Sequence, residues 1–149
     1  MFYGLTAGTG NDAATDYAAT VAVKTAAGTG RVPFPRNGPA NGIVRVDGSS
    51  FTLAAVGTYH ITYKVHTTEP AQLNLELNDV ELPETETADL NPTSGGHLLV
   101  GDAIITTTVI NSVLAVVNPT GNATALTITP ADGSKTHANA QSIQILRLA

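Results

Sequence analysis

The residues able to do chemistry are few, and their spacing argues against most of it. Glu76, Asp79, Glu81, Glu84, Glu86 and Asp89 put six acids in fourteen residues with no base among them. Hard cations such as calcium take several carboxylate and carbonyl oxygens converging on one point, which makes Glu76, Asp79, Glu81 and Glu84 the candidate cation ligands. Acids alternating along a strand fan out over one face instead of converging, so a solvated hairpin face with no bound metal or cofactor is expected. His60 and His66 share a strand face but stand six residues apart, about 20 Å at ~3.3 Å per residue, too far to share a zinc ion within one subunit. Asn122-Ala123-Thr124 fits the N-glycosylation acceptor pattern, in a turn where Asn and Thr are common for backbone reasons.

Nucleophilic chemistry finds no support. The sequence holds neither a Gly-x-Ser-x-Gly elbow nor His-Glu-x-x-His, and Gly133-Ser134-Lys135-Thr136 lacks the residue order of a phosphate loop. Catalysis would need an esterase-like serine with His97 or His137; no catalytic residue is assigned and no enzyme is expected. The absence of cysteine excludes a disulfide framework and thiolate chemistry. A net charge of −5 with 13% charged residues leaves no basic field for a phosphate backbone, so nucleic acid is not an expected partner. Met1 to Leu5 has no basic n-region and no apolar h-region, and no window approaches 18 apolar residues, so neither a signal peptide nor a membrane span is expected.

Strands must position whatever the chain does. Tyr59, Ile61, Tyr63 and Val65 alternate with His60, Thr62, Lys64 and His66, the period of two of a half-buried strand, and a central one by its length. Phe51 and Leu53 form a shorter alternating pair ahead of it, and Gly57 closes the intervening turn, where a positive φ costs glycine nothing. Val21 and Val23 against Ala22 and Lys24 read as an edge strand, with Lys24 discouraging pairing. Val32-Pro33-Phe34-Pro35 is extended and Asn37 to Gly42 a loop. A strand at Ile43 to Val46 ends at Asp47-Gly48. Leu73, Leu75 and Leu77 lead into an Asn78-Asp79 hairpin and Val80 to Leu82. Runs at His97 to Val109, Val113 to Val117, Ala125 to Thr129 and Ser142 to Leu148 bring the count to about ten short strands with regular turn signals, an all-β sandwich or barrel. At 149 residues the chain fits one domain.

The order Phe51, Gly57, Tyr59, Ile61 resembles the central signature of the jelly-roll superfamily of tumour necrosis factor and the complement globular heads. With LELNDVELPET, HLLVGDAIITTTVINSVLAVVNPTGNATALTITP and the C-terminal IQILRL, residues 41 to 149 resemble the C-terminal domain of the bacillar collagen-like exosporium glycoproteins. Residues 1 to 40 then form an Ala/Thr/Gly-rich lead with edge strands, although no Gly-X-Y repeat is present. The resemblance implies an antiparallel two-sheet jelly roll that trimerises at the tip of a spore-surface filament, structural or adhesive, non-catalytic and extracellular. It implies that His60, Thr62, Lys64 and His66 line the subunit interface. Leu146 and Leu148 join them, because Ile143 and Ile145 already occupy the core side of the last strand. Two alternatives use the same fold: a phage or viral receptor-binding tip, and a carbohydrate-binding module, each with surface glycans as partner. Four Tyr, three Phe and no Trp leave few rings to stack on a sugar.

Overall fold

The computed structural model describes residues 1–5, 19–91, 96–128 and 139–149. Its strands are β1 (Phe2–Leu5), β2 (Ala19–Val21), β3 (Arg36–Asn37), β4 (Ile43–Arg45), β5 (Ser50–Leu53), β6 (Gly57–Thr67), β7 (Ala71–Leu77), β8 (Val80–Asp89), β9 (His97–Thr107), β10 (Ser112–Val117), β11 (Leu126–Ile128) and β12 (Asn139–Arg147). Two five-stranded sheets, β3-β1-β12-β6-β9 and β4-β5-β10-β7-β8, form the jelly-roll sandwich, with β11-β2 a small third sheet. All the ladders pair antiparallel.

The alternation of β6 determines its packing. Tyr59, Ile61, Tyr63 and Val65 are buried, while His60, Thr62, Lys64 and His66 lie on the opposite face. The strand is bracketed by β12 and β9, central as its pattern requires. Phe51 enters the core from the other sheet and meets Phe2 at a ring-centroid distance of 4.6 Å and Phe34 at 5.8 Å. Burying a side chain of this size contributes roughly 1.5–3 kcal/mol, so these rings tie the sheets and the extended Val32 to Pro35 segment together.

Glycines matter here mainly through close approach. A Cβ on Gly101 would stand 2.1 Å from the Tyr63 ring, directly across the ladder, so the ring occupies the space that only glycine leaves. Gly57 is similar and corrects the sequence reading: it lies inside β6 without a positive φ, and a Cβ there would meet the Ala149 carbonyl oxygen at 2.0 Å. At Asn78 and Asp79, by contrast, φ values of 52° and 66° give the expected two-residue hairpin.

Besides shifts of one to three residues at other strand ends, three boundaries differ from the sequence expectation. Asn37, expected at the start of a loop, pairs with Phe2 of β1, and Arg36 before it with Tyr3. The strand expected to end at Leu82 runs on to Asp89. Pro83 is tolerated because β8 is an edge strand whose register shifts there, the Thr85 hydroxyl accepting from Leu75 N–H at 2.8 Å in place of a ladder partner. The strand expected through Thr25 stops at Val21, and Lys24 is buried instead of guarding an edge.

Candidate interaction face

The outer face of β9, β6 and β12 is read row by row from the register. Ile104, His60 and Leu146 stand side by side; next come Asp102, Thr62 and Gln144, then Val100, Lys64 and Ser142, then Leu98 and His66. Leu148 continues the face beyond β12, its N–H donating to Thr58 O at 2.8 Å. Ile104 is 66% exposed, Leu146 and Leu148 56%, and Leu98 and Val100 45%. Ile104, Leu146 and Leu148 cluster at one end of this face and Val100 and Leu98 at the other, with the Asp102, Thr62, Gln144 row between them; so much exposed apolar surface on one sheet face is the kind of feature that marks an interaction surface.

The polar groups of this face are partly paired within the chain. Asp102 Oδ2 lies 2.9 Å from His60 Nε2 and accepts from Thr62 Oγ1 at 2.9 Å. The His60 hydrogen bond, then that from Thr62, holds the Asp102 carboxyl below the usual carboxylate range. Of the expected interface residues, His60, Thr62, Lys64, His66, Leu146 and Leu148 thus share one surface. Leu98, Val100 and Ile104 share that surface too and were not among the residues expected there. Their signal was present in LeuLeuVal-Gly-Asp-Ala-Ile-Ile, a run apolar on both faces, which is how a strand covered on both sides reads.

The acidic stretch behaves differently from expectation. Glu76 is wholly buried. Its carboxylate accepts from Lys24 Nζ, and from Arg31 through Nε at 2.9 Å and Nη2 at 2.6 Å. Arg31 Nη2 also reaches Asp79 Oδ1 at 2.9 Å, an oxygen that accepts from Gly28 N–H as well. Glu81 accepts from the Thr120 hydroxyl at 2.7 Å and N–H at 2.9 Å. Burial raises the Glu81 pKa, but these bonds outweigh it and leave the carboxyl below the usual range. Among the described residues no three acidic or histidine side chains converge as metal ligands. Glu76 is neutralised by its own chain, and Asp79 and Glu81 bond to Arg31 and Thr120, not to one another.

The remaining motifs lead no further. His97 is buried, with Nδ1 3.4 Å from Asp89 Oδ2; His137 and Gly133 to Thr136 lie outside the described residues. The Asn122 amide nitrogen, which would carry a glycan, donates to Gln72 O at 3.0 Å and to Asn118 Oδ1 at 2.6 Å.

Two antiparallel sheets in this order make a jelly roll of the complement-head kind. The globular domain of zebrafish complement 1qA protein superposes with a TM-score of 0.56 at 15% identity, over 87% of this chain and 95% of that one. The model of the BclA C-terminal domain matches residues 12–149, and the chain belongs to that family. It is therefore a surface domain of the collagen-like exosporium type, and the match begins well before residue 41. Curated protein sequences give no match.

Proposed function

We propose that this chain is a non-catalytic structural tip domain that assembles as a homotrimer through the outer face of β6, β9 and β12. The observation that carries the reading is the Ile104, His60, Leu146 row with Leu148 beyond it, and Val100 and Leu98 on the far side of a polar row, apolar surface exposed on a sheet whose other side fills the core. The proposed interface residues are His60, Thr62, Lys64, His66, Leu146 and Leu148 with the three from β9. A single strand set facing a threefold axis gives every copy the same neighbour and closes without leftover edges. A sugar-binding role finds less support, because among the described residues every Phe and Tyr is buried except Tyr3, which is half-buried.

Ile104→Asp tests the reading. A carboxylate at the centre of an apolar interface is desolvated without a partner, so the variant should elute as single subunits while keeping the circular dichroism of the parent. A variant that elutes with the parent removes this face from the assembly.

A further inference from the structure

Asparagine is followed by glycine twice in this sequence, at Asn37-Gly38 and Asn41-Gly42, and the fold holds the two copies in opposite states. Asn37 sits in β3 opposite Phe2, and its Oδ1 accepts from Arg45 Nε at 3.0 Å. The Gly38 N–H donates to Met1 O at 2.8 Å, and a Cβ on Gly38 would meet that same oxygen at 2.8 Å. Amide side chain and backbone nitrogen are both tied. Asn41 is exposed, and among the described residues its side chain has no hydrogen-bond partner. Gly42 takes φ +72°, and a Cβ there would touch nothing within 4 Å.

We infer that Asn41 is a site of spontaneous deamidation and that the fold protects Asn37 from the same reaction. The Gly42 backbone nitrogen gives its proton to solvent base and bonds to Asn41 Cγ. The side-chain nitrogen takes a proton from solvent, its bond to Cγ breaks, and it leaves as ammonia. The cyclic imide takes up one water and opens at either carbonyl, giving aspartate or isoaspartate. Glycine favours the step because it lacks a Cβ beside the attacking nitrogen and its dihedrals are free to reach the required geometry. The position gives the product a consequence. Asn41 and Gly42 line a cleft of about 700 Å³ that Tyr59, Leu146 and Arg147 also line, so each event adds a carboxylate, and in the isoaspartate product an extra backbone methylene as well, to a cleft shared with Leu146 of the proposed interface.

The test is to hold the folded protein at mildly alkaline pH and follow tryptic peptide 37–45, which contains both asparagines, by fragment-ion mass spectrometry with isoaspartate detection. Asn41 should react at least about tenfold faster than Asn37, because a protected site reacts only through local opening. In urea the two rates should converge. Equal rates in the folded protein, or unequal rates persisting in urea, would overturn the structural account. So would an Asn41→Gln protein that still accumulates the acidic species on ion exchange.

Discussion

The outer faces of the two sheets make an instructive pair. On β7 and β10 the face turned away from the core is closed by the chain itself: residues 30–32 pair beside the end of β10, Val32 N–H donating to Val116 O at 2.8 Å and Asn118 N–H to Gly30 O at 2.8 Å, and the Lys24 and Arg31 side chains reach Glu76 on that face. Asn74 and Glu76 are buried there, and Lys24 and Arg31 supply the compensating charge. On β6, β9 and β12, among the described residues, no hydrogen bond or ion pair from another segment closes over Ile104 and Leu146, and these apolar side chains stand exposed. A sheet with core on one side still has a second face to dispose of. Here one is closed within the subunit by ion pairs, and the other carries the apolar surface an oligomer would use.

The sharpest way to break this contrast is to remove the charge compensation on the covered face. Lys24→Met leaves Glu76 buried with Arg31 alone, and breaking a buried ion pair from one side costs about 3–5 kcal/mol. Urea unfolding should register a loss of that order; a loss below about 0.5 kcal/mol, the range of ordinary surface changes, would mean water reaches Glu76.

The two faces of β6 should differ almost as much. Tyr59→Ala removes a buried ring and should cost about 3–5 kcal/mol, against about 0.5 kcal/mol for Thr62→Ala measured on separated subunits. Similar small losses at both would show the strand to be mis-faced.

Gly101→Ala drives a methyl into the Tyr63 ring, and overpacking of a filled core typically costs about 1–3 kcal/mol. An unchanged melting temperature would mean that the ring has room to move.

The smallest effect is the pH dependence at Asp102. Its folded pKa lies below the unfolded value of about 3.9, so its contribution is present above that value and is lost as pH falls through the folded pKa. Between about pH 6 and pH 3 the parent should lose more stability than Asp102→Asn, and equal losses would remove the His60 and Thr62 bonds from the account.

Sequence legibility followed the same division. The core face of β6, the Asn78-Asp79 hairpin and the sandwich class were readable because each rests on local signals: period two, or residues that tolerate positive φ. Glu76 was misjudged as solvated because its partners come from 52 and 45 residues upstream, a distance over which no periodicity reports. Gly57 was assigned to a turn because its true reason, the Ala149 carbonyl, arrives from the far end of the chain. The outer face of β6 and β12 was read by asking which face the core did not use; the apolar residues that β9 adds to it were hidden in a run apolar on both sides.

The measurement closest to the central claim is the mass of the unmodified protein by light scattering at micromolar concentration. The account predicts three times the 15.3 kDa subunit, and the mass of one subunit would contradict it.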